Sequence, residues 1–228
     1  MPERLTSADF SPVTLQVKDG LCVSGLIAAP AAARACYVLG PSAGAGMDHP
    51  SMRAVATGLA ALGIATLRYQ FPYMERGSRR PDPPPLCHAT VRAAVAAASA
   101  TGLPLVAGGR SFGGRMTSQA QAIEPLPGVR ALAFLGFPLH PAGAPSEARA
   151  EHLARVSIPM LFLSGARDAL AERALLEAVI ARLGARATLS LVEHADHSFH
   201  VPARSGRRDA QVLEEVLQRL AAWIDTLR

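Results

Sequence analysis

From residue 36 onward, short apolar runs alternate with segments whose apolar residues recur every three or four positions. The runs are 36–39, 64–67, the stretch opening at Leu105, 129–137, 158–163 and 187–192. The helical periods include Met52, Val55, Leu59 and Leu62 closed by Gly63, an alanine-rich 86–100 with Gly102 beyond it, and residues 116–123. Further on, Leu175, Leu176, Val179, Ile180 and Leu183 are closed by Gly184, and Leu213, Val216, Leu217, Leu220, Trp223, Ile224 and Leu227 mark a terminal amphipathic helix. Parallel strands need long crossover connections, so this alternation points to a mostly parallel sheet with helices on both faces. Two earlier runs, 13–17 and 22–28, flank Lys18-Asp19-Gly20, a hairpin signal. The expectation is an α/β chain with eight strands and a single domain over residues 1–228. Ser146 is expected to cap a helix running to about Val156, and the proline-rich 69–85 to be irregular.

The chemistry concentrates at Leu105-Val106-Ala107-Gly108-Gly109-Arg110-Ser111-Phe112-Gly113-Gly114-Arg115. An apolar run ends in glycines, a serine follows, then more glycines and a helix-compatible segment. Gly109-Arg110-Ser111-Phe112-Gly113 fits G-x-S-x-G, the turn that lifts a nucleophilic serine out of a sheet. The pattern alone is weak: 19 glycines and 15 serines in 228 residues give ~0.1 chance occurrences. Its specificity comes from two partners placed downstream. A serine hydroxyl needs a base to take its proton, and the base needs a third group to hold its tautomer. Asp168 stands just past the seventh run, where an N-cap for a helix from Ala169 would also stand. His194, His197 and His200 all fall just past the eighth. The order serine, aspartate, histidine is met with each member at the C-terminal end of a strand. Three close histidines can also hold a metal, but no cysteine or paired carboxylate accompanies them. An oxyanion needs two N–H donors: one belongs to Phe112, and Ala43, in the glycine-rich loop after the third strand, is the candidate for the other.

Composition narrows the setting. No apolar run approaches membrane-spanning length, and Met1-Pro2-Glu3-Arg4 does not begin a secretory signal. Cys22, Cys36 and Cys87 form no C-x-x-C, which suggests a reducing, cytoplasmic setting. The net charge of +5 rests on 22 arginines and one lysine scattered along an alanine-rich chain, a compositional bias rather than a nucleic-acid patch. No nucleic acid, membrane, cofactor or metal is expected to take part, and the oligomeric state is left open.

These stretches resemble lid-less α/β hydrolases of largely unassigned substrate, related to dienelactone hydrolase. The same family includes the hydrolase-like domain of a histone-acetyltransferase-complex subunit. The resemblance runs from about Val38 to the end. It is carried by Gly44-Ala45-Gly46-Met47-Asp48-His49-Pro50, Phe71-Pro72-Tyr73-Met74-Glu75, Gly109 to Arg115, Pro138-Leu139-His140-Pro141 and Ala195-Asp196-His197-Ser198-Phe199. It implies an α/β-hydrolase fold, and of the three histidines it selects His197. Relatives typically carry His-Gly where this chain has Pro41-Ser42, and proline brings no N–H and stiffens the loop.

The resulting expectation is a serine hydrolase acting on an ester, thioester or lactone-type acyl bond. Ser111 is its nucleophile, His197 its base, Asp168 the orienting acid, and Phe112 and Ala43 its oxyanion donors. A non-catalytic binding domain on the same fold, or acyl transfer to an alcohol, are the alternatives. Only residues 138–145 separate the sixth strand from the next helix, leaving no room for a lid. Cover over the site then falls to 69–85 or is absent, and an open cleft for short acyl groups is expected. Arg76, Arg79, Arg80, Arg110 and Arg115 either surround that cleft and favour anionic substrates or are ordinary surface arginines; His140 either borders it or only shapes a turn.

Overall fold

A computed structural model describes residues 10–18 and 20–227; Met1-Pro2-Glu3-Arg4 and Asp19 lie outside them. Eight strands form one sheet: β1 (Phe10–Lys18), β2 (Leu21–Ala28), β3 (Ala35–Gly40), β4 (Ile64–Tyr69), β5 (Leu105–Arg110), β6 (Val129–Leu135), β7 (Met160–Gly165) and β8 (Ala187–Val192). Their spatial order is β1-β2-β4-β3-β5-β6-β7-β8. β2 runs antiparallel to β1 and β4, and every other pairing is parallel. The expected hairpin forms, with Lys18 opposite Leu21.

Alternation of side chains across the pleat divides the interior into two cores. In β3, Cys36 and Val38 face one side while Tyr37 and Leu39 face the other, and all four are buried. The first side is covered by helices α3 (Pro84–Ser99), α4 (Phe112–Ile123) and α5 (Arg173–Leu183), through residues such as Val91, Met116 and Leu176. The second is covered by α1 (Pro50–Ala61) and α6 (Asp209–Asp225), through Met52, Val55, Val216 and Leu220. Cover on both faces explains why β3 and β7 are nearly continuous apolar runs, and why even Thr66 and Arg68 of β4 are buried. No helix among the described residues is long and apolar enough to cross a membrane.

Three segments differ from expectation. Residues 69–85 are not wholly irregular: a one-turn helix, α2 (Pro72–Glu75), forms there, and α3 starts at Pro84. Prolines at the first turn of a helix give up only N–H groups that have no intrahelical partner, so Pro84 and Pro85 open α3 rather than block it. The stretch after Ser146 is a 3₁₀ helix over Ala148–Arg155 rather than an α-helix; the Ser146 hydroxyl accepts from the Ala148 N–H at 3.2 Å. The helix beyond Asp168 begins only at Arg173, with Glu172 as its N-cap, so Asp168 is not a helix cap.

Candidate active site

The site lies at the C-terminal ends of β5, β7 and β8. Ser111 follows the last residue of β5 and immediately precedes α4, with φ 49° and ψ −111°. That conformation is costly for any residue with a side chain, and it persists only where surrounding structure enforces it. Here the elbow is pressed against the loop that leaves β3: a Cβ on Gly113 would stand 2.3 Å from the Gly40 carbonyl carbon. Only glycine permits that approach.

Ser111 Oγ is 2.8 Å from His197 Nε2, and His197 Nδ1 is 2.7 Å from Asp168 Oδ2. The second Asp168 oxygen accepts from the Leu170 N–H at 2.8 Å, so the carboxylate both shapes the turn after β7 and faces the imidazole. Its side chain is fully enclosed, whereas that of His197 keeps 21% exposure. A carboxylate only accepts, so it requires the proton on Nδ1 and leaves the Nε2 lone pair facing the serine hydroxyl.

The loop bearing His197 is tied down at both ends. Asp196 Oδ1 accepts from the N–H groups of Ser198 and His200, at 2.8 and 3.0 Å, and the Arg167 N–H donates to the Ala195 carbonyl at 2.8 Å. The imidazole rests against Gly136, whose φ is +74° and where an added Cβ would lie 3.0 Å from the His197 carbonyl oxygen and 3.2 Å from its ring. The other two histidines of the loop do not approach the serine. His200 Nδ1 instead lies 2.9 Å from Asp209 Oδ2 on the surface, where that carboxylate raises the imidazole pKa, and His194 occupies a turn at φ 64°.

Ser111 and Phe112 open on a pocket of about 380 Å³ that Ala43 also lines. The two oxyanion candidates are braced by one motif. The Tyr73 hydroxyl of α2 donates to the Ala43 carbonyl at 2.7 Å. The Phe112 ring lies 5.3 Å from that of Phe71 and 6.4 Å from that of Tyr73, both in edge-on contact. Glu75 ties the same turn to β2, accepting from the Ser24 N–H at 2.6 Å. Sequence reasoning missed this brace, although Phe71 to Glu75 stood out as a motif. Phe112 is the first residue of α4, where N–H groups have no intrahelical acceptor.

The family whose description reads "Alpha/beta hydrolase domain" matches residues 33–225. The chain belongs to this α/β hydrolase family. Solved structures of similar fold include a dienelactone hydrolase from Anabaena variabilis, with a TM-score of 0.78 and 21% identity over 97% of this chain and 99% of that one. An esterase domain from Rhodothermus marinus matches with TM-score 0.70 and 16% identity, over 94% and 97%. An α/β serine hydrolase without a lid from Xanthomonas campestris gives 0.69 and 19%, over 96% and 98%.

In this α/β hydrolase the cover over the pocket is supplied by 69–85, since Pro81, Asp82 and Pro84 line it, and no lid follows β6. The arginines named from the sequence separate into distinct roles. Arg76 pairs with Asp82 at 2.5 Å. Arg79 and Arg80 are exposed and away from the lining. Arg110 donates to the Ser198 carbonyl at 3.3 Å and so braces the histidine loop, with burial lowering its pKa. Only Arg115 lines the pocket, joined by Arg149, which the sequence did not single out. His140 is buried and does not border the pocket; its N–H and that of Leu139 hold the Leu170 carbonyl, at 3.1 and 2.8 Å, behind Asp168.

Proposed function

We propose that this α/β hydrolase cleaves an ester, thioester or lactone-type acyl bond through an acyl-enzyme on Ser111. The observation that carries the reading is the continuous hydrogen-bonded line Ser111–His197–Asp168 at 2.8 and 2.7 Å, with the serine held on a strained elbow. The esterase and dienelactone hydrolase of similar fold agree with acyl-bond chemistry.

The Ser111 hydroxyl proton passes to His197 Nε2 as Oγ bonds to the substrate carbonyl carbon, and the carbonyl π electrons move onto oxygen. The N–H groups of Phe112 and Ala43 stabilise that oxyanion; a donor of this kind is typically worth ~10²–10³ in kcat. Collapse expels the alcohol or thiol, which takes the proton from His197. Water then repeats the sequence: it gives a proton to His197, attacks the acyl carbon, and releases the acid with Ser111 restored. Asp168 stays a carboxylate throughout and stabilises the imidazolium that forms twice per cycle. The lid-less pocket suits short acyl groups.

The test is covalent labelling by a neutral alkyl fluorophosphonate, read by intact mass. One adduct on Ser111 is expected, lost in Ser111→Ala. A folded protein that takes no label would point instead to a binding domain on this fold.

A further inference from the structure

Two arginines line the pocket that holds Ser111, and among the described residues neither has a counter-ion. Arg115 projects from the first turns of α4 and Arg149 from the 3₁₀ helix after β6; both are half-buried, and both line the pocket. Among the described residues neither side chain makes an ion pair or a hydrogen bond, and Arg115 Nε is enclosed without any acceptor. Several other arginines do pair with a carboxylate: Arg34 with Asp225, Arg76 with Asp82, Arg92 with Glu124, Arg173 with Glu177, Arg182 with Glu147, and both Arg207 and Arg219 with Glu215.

The surroundings of Arg115 add positive charge rather than cancel it. Burial lowers its pKa, and Arg149 pushes in the same direction, so the two cations are close enough to repel. Its other titratable neighbours are His152, which burial keeps neutral to about pH 4, His88, and Cys87, whose thiol burial raises to about 12. The centre of the Phe112 ring lies 5.6 Å from the Arg115 guanidinium carbon. One carboxylate, Asp82, does border the pocket, but it is already engaged by the Arg76 guanidinium and by the Tyr73 N–H at 2.7 Å. Partly desolvated like charges held together without an anion represent a cost that a bound carboxylate would remove.

We propose that Arg115 and Arg149 form an anion-recognising subsite beside Ser111, so that the substrates are acyl compounds bearing a carboxylate on the acyl chain. The proposal rests on the hydrolase reading, but binding at the subsite can be read without turnover. Guanidinium–carboxylate pairing is directional and charge-assisted, so it selects for where the anion sits as well as for its sign.

The experiment measures binding on Ser111→Ala protein, by calorimetry, with the monomethyl esters of succinic, glutaric and adipic acids against methyl esters of the same chain lengths. At least one half-ester is expected to bind about tenfold or more tightly than its neutral counterpart. Adding Arg149→Gln or Arg115→Gln should collapse that ratio toward one, with Arg149→Lys keeping part of it; circular dichroism reports that each variant is folded. Arg149 belongs to the 3₁₀ helix after β6 rather than to the elbow segment, and it keeps the test readable if Arg115→Gln fails to fold. Equal affinity for charged and neutral esters at every length, or a preference that survives both substitutions, overturns the subsite. Labelling of the native protein separates the two readings. A labelled Ser111 without anion preference removes the subsite and leaves the hydrolase; an anion preference without labelling does the reverse.

Discussion

Two serine–histidine contacts of the same length meet helix α4, and behind only one of the rings does a carboxylate stand. Ser111 precedes the helix and meets His197 at 2.8 Å; Ser118, two turns along, meets His152 at 2.8 Å. The Ser118 hydroxyl donates its single proton to the Arg115 carbonyl at 2.9 Å, so its oxygen accepts from the His152 ring and offers it nothing. Among the described residues the Ser111 hydroxyl has no such backbone acceptor; it faces His197 Nε2. Behind the rings the difference repeats. His197 has the enclosed carboxylate of Asp168, whereas His152 has Arg115 and Arg155 nearby, and burial with those charges lowers its pKa to about 4. The contact distance is therefore silent about reactivity; the direction of the proton and the charge behind the ring decide it.

The comparison breaks most clearly under substitution of the two serines. Ser111→Ala should lower kcat for a short activated ester by on the order of 10⁴ or more, while Ser118→Ala costs stability but leaves kcat near that of the native protein. Equal losses would put the two contacts in one class. A finer cut is Asp168→Asn. The amide still supplies an oxygen to the Leu170 N–H, so the turn is retained, but it no longer demands the proton on Nδ1. A loss of ~10³–10⁴ in kcat is expected with the fold intact, and a loss under tenfold would deny Asp168 its orienting role. The smallest effect belongs to His152. Its folded pKa lies below the ordinary value of 6.5, so between pH 6.5 and about 4 the unfolded chain binds a proton that the native state refuses. Stability from this group is complete above pH 6.5 and declines as the pH falls through that window. In His152→Gln the drop in Tm between pH 7 and 4.5 should shrink by up to ~5–10 °C, since the full shift is worth about 2.5 kcal/mol at pH 4.5 and partial exposure of the ring reduces it; an unchanged drop would mean that His152 is protonated in the folded protein.

The strands, and the meeting of Ser111, His197 and Asp168, were legible because each rests on a local signal: an apolar run, a glycine-framed serine, or a polar residue at the end of a run. Val13 to Val17 even understated β1, which continues back through Pro12 to Phe10, since an edge strand tolerates a residue without an N–H. What was not legible depends on distance in sequence. Tyr73 braces Ala43 across 30 positions, and nothing in Phe71 to Glu75 announces that acceptor. Arg149 has neighbours no different from other arginines, and only the fold of the 3₁₀ helix brings it beside Arg115. The choice of His197 over His194 and His200 rests on the family resemblance, because spacing alone does not separate three histidines in one loop.

The backbone of Ser111 carries a consequence for how this chain can change over time. At φ 49° and ψ −111° a glycine would rest with less strain than the serine does. Stability and reactivity therefore pull in opposite directions at one position: the substitution that most relaxes the turn is the one that removes its hydroxyl. Sequences drifting under demand for a sturdier fold alone would tend to lose the serine first and keep everything around it. Under the proposed function, a serine retained at this position is a mark of selection for chemistry, set against a standing pressure of the order of 1 kcal/mol toward its removal.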